Sequence, residues 1–216
     1  MPFTILHKIA NTPAIKRFLT ENRLFVKLYF NWRYLTADPY NVEKSEFERD
    51  KLQRTLEAIK PVGHVKSALE IGCGEGFLTE PLAKISARAL GVDISGLVVN
   101  RARERFAHAP NIRFKVADIL TCDFGEKFDL IACSEVLYYF ELAQLPLVVE
   151  RISDLLNPGG ALLLCHARAL GDDDSGVPMK KFGAKTIHEL FISSPGFTKV
   201  YDQTYPMYRI TLIRKD

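Results

Sequence analysis

Five short apolar runs recur through the middle of this chain, at Ala68–Ile71, Ala89–Val92, Ile112–Val116, Phe128–Cys133 and Ala161–Cys165, and helix-patterned segments fill the intervals. Their repetition predicts βαβ units joined by right-handed crossovers into a parallel sheet. The rhythm breaks in the tail, where residues 196–214 read GFTKVYDQTYPMYRITLIR, two strand-like runs around Asp202–Thr204 with no helix between them. That pattern predicts a closing antiparallel hairpin. Ahead of the first run, a helix is expected from about Glu43 to Ile59, with Phe47, Leu52, Leu56 and Ile59 inward and Pro61 and Gly63 ending it.

At 216 residues the chain can fill one principal core but not two full-sized enzymatic domains. No apolar run reaches the roughly 18–20 residues of a membrane span. The start, MPFTILHKIANTPAIKRFL, lacks the apolar core and small-residue cleavage site of a secretory signal. Four cysteines, Cys73, Cys122, Cys133 and Cys165, form no CxxC pair, which fits neither a disulfide scaffold nor a zinc knuckle and points to a reducing cytoplasm. Charge is uneven, since residues 1–37 hold six Lys/Arg against one acid while the remainder is slightly acidic. Apolar residues there, from Ile5 to Leu24, Leu28, Tyr29 and Trp32, fall at helical spacing, and Pro13 divides the segment into two helices. We read 1–37 as an amphipathic addition that packs on its own domain, with a lid, a dimer contact or a peripheral membrane anchor as the uses open to it. TADPYN at 36–41 is the turn into a main domain at 38–216.

Residues 68–84 read ALEIGCGEGFLTEPLAK, with Gly72, Gly74 and Gly76 between the first strand and the next helix. Glycines at such a joint permit a tight turn and close approach of a ligand, and helix-terminal N–H groups would face it. In open α/β sheets such ligands lie beyond the strand carboxyl ends, where the strand order reverses. Asp93, 21 residues after Gly72, is spaced to hold ribose hydroxyls. A dinucleotide fingerprint would need glycine where Phe77 stands, which disfavours a pyrophosphate cradle. Cys73 serves as a small spacer, with no neighbouring base to activate it. Asp93 also precedes ISGLVVNRARERF and could instead cap that helix.

Glu70 before the glycines, Asp93 after the second strand and VADIL ending the third together resemble the class I S-adenosylmethionine-dependent methyltransferases over roughly residues 43–216. The resemblance implies a doubly wound, Rossmann-like α/β fold whose mostly parallel seven-stranded sheet has one antiparallel strand, with the N-terminal helical segment added to it. It also implies S-adenosylmethionine as cofactor. The Glu70–Gly76 loop, Cys73 included, would line the methionine part, Asp93 would hold the ribose diol, and Asp118 with Ile119 would approach the adenine. A carboxylate suits both polar tasks as an acceptor, and Ile94 could sandwich the flat ring.

Three further stretches resemble the rhizobial nodulation N-methyltransferases, which methylate the amine of a chitooligosaccharide backbone: DPYNVEKSEFERDKLQRTL at 38–56, SEVLYYF at 134–140, and HARAL at 166–170 with FGAKTIHEL at 182–190. Tyr40 stands where that family has tryptophan, and the 170–183 stretch differs. By this resemblance Tyr40 and Arg49 belong to a lid over the cofactor, where Arg49 could pair with the methionine carboxylate. Ser134 joins the cofactor site, and Glu135 and Tyr138 follow the fourth strand beside the expected methyl group. Glu135 is the first choice for orienting an amine or its charge. His166, ending strand five, is the candidate base because an imidazole titrates near neutrality. Each has a plain structural use as well: Glu135 as a turn cap, Tyr138 as core, Arg49 as surface, His166 as a satisfied strand-end group. His188 receives no role. The run Asp172–Asp174 reads as a solvated loop, and no metal is expected.

Nucleic-acid amino-methyltransferases carry an Asn/Asp-Pro-Pro-aromatic tetrad after strand four, whereas this chain has Ser134-Glu135-Val136-Leu137 and no continuous basic tract beyond its first segment. The expectation is therefore methyl transfer to a small-molecule acceptor, an amine such as an amino sugar first. An oxygen acceptor or a catalytically silent cofactor-binding subunit are the alternatives.

Overall fold

The computed structural model describes residues 23–36, 38–169 and 182–216; the expectations for residues 1–22 and for Asp172–Asp174 lie outside these. Helix α1 (Arg23–Arg33) leads through a turn to α2 (Glu46–Ile59). There follow β1 (Val65–Ile71), α3 (Thr79–Lys84), β2 (Ser86–Asp93), α4 (Gly96–Arg105), β3 (Ile112–Val116), β4 (Phe128–Ser134), α5 (Leu145–Leu155), β5 (Leu156–Ala167), α6 (Ala184–Ile192), β6 (Phe197–Thr204) and β7 (Tyr208–Lys215). The strands form one seven-stranded sheet in the order β3-β2-β1-β4-β5-β7-β6. All pairings are parallel except those of β7, which runs against both β5 and β6. The expected doubly wound sheet and its closing hairpin are both present.

Alternate residues of the central strands face opposite sides, and both sides are covered. Leu69, Ile131, Cys133, Leu162, Leu164 and Ile213 meet Val148 and Ile152 of α5 and Ile187 and Phe191 of α6. Ala68, Leu130, Ala132, Leu163, Cys165 and Leu212 meet Ala58 and Ile59 of α2 and Leu82 of α3. Each buried Leu or Ile contributes roughly 1.5–3 kcal/mol, so the helices are held chiefly by the sheet rather than by their own propensity. No helix among the described residues is long and apolar enough to cross a membrane.

Four local expectations need correction. The interval between β3 and β4 contains no helix; Asp118 starts a turn there, accepting Leu120 N–H on Oδ1 at 3.0 Å, and Arg151 of α5 donates to the carbonyls of Ile119 and Cys122. A buried-face guanidinium thus satisfies the backbone where a helix would otherwise have done so. Helix α2 starts at Glu46 rather than Glu43, because the Asp38 carboxylate takes the N–H groups of Val42 and Glu43 and Ser45 caps Glu48. Its buried face carries Lys51, Thr55, Ala58 and Ile59, while Phe47 is 46% exposed. On α1 and in the turn after it, Tyr29, Phe30 and Tyr34 pack against Val98 of α4, and Leu28 faces solvent.

The sheet order reverses at β1. From it the chain proceeds to β2 and β3 on one side, and later to β4 and β5 on the other. The crevice beyond the carboxyl ends of β1 and β4 is therefore where a ligand belongs.

Candidate active site

A cavity of about 870 Å³ opens at that crevice, near the upper end of the roughly 300–1,000 Å³ range of small-molecule sites. Strand order divides its floor. Asp93, Ile94, Asp118 and Ile119 from the ends of β2 and β3 line one half; Glu135, Tyr138, Ala167 and Tyr208 from the β4, β5 and β7 side line the other; the glycine loop and Ser134 lie between. Phe30, Tyr34 and Tyr40 from α1 and its following turn, with Phe47 and Lys51 of α2, complete the walls.

In the glycine loop, Gly72 and Gly74 have φ of +74° and +52°, a region L-residues rarely enter. A Cβ on Gly72 would lie 2.5 Å from Val136 Cγ2, so the loop touches the turn after β4 directly. The amides of Gly72 and Cys73 donate to Val92 O, that of Gly74 to Asp93 Oδ2 at 3.2 Å, and that of Gly76 to Cys73 O. These donors are consumed internally, and α3 begins only at Thr79 and is six residues long. Contrary to the sequence expectation, the loop offers shape rather than a helix terminus. Gly76 does not line the cavity; its Cβ would strike Phe114 and Phe106, so it serves packing beneath the loop.

Asp93 Oδ1 accepts Ser95 N–H at 2.9 Å, and Ser95, not Asp93, caps α4. Each Asp93 oxygen therefore spends one lone pair on the backbone and keeps another for a vicinal diol, which fits the ribose of S-adenosylmethionine. Burial pushes its pKa up to about 6 despite those hydrogen bonds. Glu70, at 4% exposure, accepts from the Thr79 hydroxyl; burial pushes it up to about 8, Thr79 opposing and Asp93 adding to the rise.

The other half is built on Glu135. Its φ of +53° is unusual for a residue with a side chain, and its N–H donates to Cys165 O at 2.8 Å. Oε1 receives Lys51 Nζ at 3.1 Å; Oε2 receives the Tyr138 hydroxyl at 2.6 Å and Ala167 N–H at 3.0 Å. Burial would raise this acid, but the Lys51 ammonium and these donors hold it below the usual carboxylate range. Lys51 also pairs with Glu48 at 2.8 Å and is 8% exposed. Tyr138 stays a phenol, its pKa driven well up by burial and by Glu135.

Besides Gly76, two expected residues fall elsewhere. Arg49 is exposed and donates to the carbonyls of Glu43 and Lys44, bracing the turn before α2 rather than reaching the cavity. His166 is fully buried beneath the site, accepts Leu137 N–H on Nε2 at 3.3 Å, and is held down to about 4 chiefly by burial. It does not line the cavity, and both of its ring nitrogens are engaged below it. Tyr40, Glu70, Gly72, Cys73, Gly74, Asp93, Ile94, Asp118, Ile119, Ser134, Glu135 and Tyr138 all line the one cavity.

Lys51 is the residue that sequence reasoning missed; its signal was a lysine four residues after Phe47 and four before Thr55, on the inward stripe of a helix. Glu75 was missed too. It accepts Asp38 N–H at 3.0 Å and pairs with Arg101 and Arg105 of α4, tying the turn before α2 to the glycine loop.

Compared with known proteins, the chain matches the family Nodulation protein S (NodS) over residues 29–198. The chain belongs to the NodS family. It is 32% identical to the nodulation protein S of Bradyrhizobium diazoefficiens over 158 residues, 73% of this chain and 74% of that protein. The Rhizobium tropici protein is 34% identical over 138 residues, 63% of this chain; the chain spans 58% of that relative's length. The crystal structure of N-methyltransferase NodS from Bradyrhizobium japonicum WM9 with S-adenosyl-L-homocysteine superposes with a TM-score of 0.77 at 26% identity, covering 88% of this chain and 97% of that one. The family and the fold are those of methyltransferases that use S-adenosylmethionine.

Proposed function

We propose that the protein is a cytoplasmic enzyme that transfers a methyl group from S-adenosylmethionine to the amine nitrogen of a small-molecule acceptor. When bound, the cofactor supplies an electrophilic methyl carbon on a sulfonium, open to in-line attack by that nitrogen. Asp93 would hold the ribose, Asp118 and Ile119 the adenine, and the Gly72–Gly74 bend with Cys73, beside Glu70 and Ser134, the methionine part. Tyr34 and Tyr40 would close over it.

The observation that carries the nitrogen assignment is Glu135, held ionised by Lys51 and Tyr138 at the end of β4 and exposed only where it lines the cavity. An amine that donates an N–H to Glu135 has its lone pair free for the methyl carbon, and the carboxylate stabilises the positive charge that grows on nitrogen. So firmly ionised an acid is a weak base. It orients and neutralises, and the proton leaves afterwards to water. Around Lys51 stand two carboxylates, Glu48 and Glu135, so this cluster favours a cationic or amine-bearing acceptor over an acid. Phe47, Tyr139 and Tyr208 offer apolar faces to the carbon skeleton, which suits an amino sugar as the first acceptor to try. Four free cysteines, three of them buried, suit a reducing compartment.

The test is incubation with S-adenosylmethionine and a panel of amines, amino sugars and alcohols, read by mass spectrometry for replacement of one hydrogen by methyl. Methylation of at least one amine is expected. Reaction of alcohols alone would overturn the nitrogen assignment.

A further inference from the structure

Beneath the turn that carries Glu135 runs a buried polar chain that takes no part in the cavity. Leu137 N–H donates to His166 Nε2 at 3.3 Å; His166 Nδ1 lies 3.1 Å from His188 Nε2; His188 Nδ1 lies 2.7 Å from Thr211 Oγ1; Thr211 Oγ1 donates to Asp202 Oδ1 at 2.8 Å. His166, His188 and Thr211 are all fully buried. Arg209 closes the chain with two 2.7 Å contacts to Asp202 and one of 2.6 Å to Glu189, near the surface.

The order of donors is fixed from both ends. A backbone N–H can only donate, so His166 Nε2 is bare and the neutral ring must carry its proton on Nδ1. That proton faces His188 Nε2, which must then also be bare, leaving the second ring protonated on Nδ1 toward Thr211. The Thr211 hydroxyl accepts from His188 and gives its own proton to the Asp202 carboxylate, which Arg209 keeps ionised. Four hydrogen bonds thus point one way, away from the site, and reversing any one sets two donors face to face. The groups around the rings favour the neutral state. Burial dominates at both; Lys51 opposes charge on His166 and Glu135 favours it, while His166 and Arg209 oppose charge on His188.

We propose that His166, His188 and Thr211 form a positioning relay, with both imidazoles neutral and protonated on Nδ1, that fixes the turn after β4 and presents Glu135 in its left-handed conformation. The turn has a strained residue at Glu135 and a short 3-10 segment at Leu137–Tyr139. Strain of that kind persists only where surrounding contacts over-determine it. The acceptor offered to Leu137 N–H, two residues on, is such a contact, and Asp202 at the opposite end polarises the whole row. The Tyr138 ring also meets His166 edge-on at 5.8 Å, so the phenol that donates to Glu135 and the Leu137 N–H of the same turn rest on one imidazole.

Only the activity readout of this inference rests on the proposed methyl transfer. With ¹⁵N-labelled histidine, two-bond ¹H–¹⁵N spectra are expected to show both rings as Nδ1–H tautomers, unchanged between about pH 5 and 8. An Nε2–H tautomer at either ring, or titration in that range, overturns the proposal. Thr211→Val removes the acceptor while keeping shape. His188 Nδ1–H then loses its acceptor; because Leu137 N–H still requires a bare His166 Nε2, both rings are expected to stay protonated on Nδ1, with the His188 Nδ1–H signal moved upfield and Leu137 N–H held more weakly. The rate kcat should fall about tenfold, the worth of one hydrogen bond, with cofactor affinity within about twofold and Thr211→Ser restoring the rate. If Thr211→Val leaves the His188 Nδ1–H signal and kcat unchanged, the relay is refuted. Should that variant fail to fold, Thr211→Ser and the spectra of the unsubstituted protein still decide. If no methyl transfer is found, the tautomers stand or fall on their own.

Discussion

Glu70 and Glu135 are buried glutamates in the two halves of one cavity, yet their neighbours leave them on opposite sides of the usual carboxylate range. Glu70 has a hydroxyl and a neighbouring carboxylate for company and is pushed up to about 8. Glu135 has an ammonium, a phenol and a backbone N–H, and is held down. The difference comes from one helix: α2 brings Lys51 across the cavity, 84 residues away in sequence from the acid it meets. The half proposed for the cofactor is shaped by short-range contacts within the β1–β2 unit, such as Gly74 to Asp93, whereas the half proposed for the acceptor is assembled by elements distant along the chain. A preformed, locally encoded cradle can accept the same cofactor in many relatives, while the long-range half can be rebuilt for each acceptor.

The largest effect that would sharpen this contrast is on pH-dependent stability. Because Glu70 keeps its proton in the folded state up to about 8, against an ordinary value of 4.5, the folded protein binds more protons than the unfolded chain in that window. Stability is therefore full below about 4.5 and is lost as pH rises through about 8. Glu70→Gln should flatten that slope, with a difference on the order of 5 kcal/mol across the window, leaving the smaller slope of Asp93 below about 6. Glu135→Gln should leave the slope in place. Chemical denaturation over the pH range checks both; identical slopes for Glu70→Gln and the parent would break the contrast.

Next in size is Asp93→Ala. It removes the acceptors of two backbone N–H groups and the proposed diol ligand together, and charge-assisted hydrogen bonds at about 1.5–3 kcal/mol each imply a loss of cofactor affinity of roughly 10²–10³-fold by calorimetry. In the other half, Glu135→Gln should lower kcat about 10²-fold while cofactor affinity stays within about threefold. Lys51→Met should resemble it, and the pair should be far from additive, since each group needs the other. Equal losses of cofactor affinity and rate in Glu135→Gln would mean that the halves are not separable.

The same division explains what could be read from the sequence. The sheet, its closing hairpin, the glycine bend and Asp93 are encoded locally, by runs of apolar residues and by a spacing within one βαβ unit, whereas Asp118 was reached through the resemblance. The missing helix between β3 and β4 was invisible because Arg151, whose guanidinium satisfies that turn, lies on α5. Arg49 was placed by resemblance alone, and two residues on, about 200° around the helix, Lys51 is the one that packing puts in the cavity. His166 looked like a base because its position at the end of β5 is right; only the buried partner on α6 shows both nitrogens to be occupied.

The smallest effect concerns the seam where the halves touch. Gly72 at φ +74° sits so close to the turn after β4 that an added Cβ would lie 2.5 Å from Val136 Cγ2. Gly72→Ala should cost about 2 kcal/mol in stability, part from the left-handed backbone and part from that overlap. Val136→Ala relieves only the second part, so in the double variant the penalty should shrink by about 1 kcal/mol, measured as a coupling in thermal or denaturant unfolding. Strict additivity would show that the glycine bend and the Glu135 turn do not bear on each other, and that the strain at Glu135 is set from beneath the sheet edge and not across this seam.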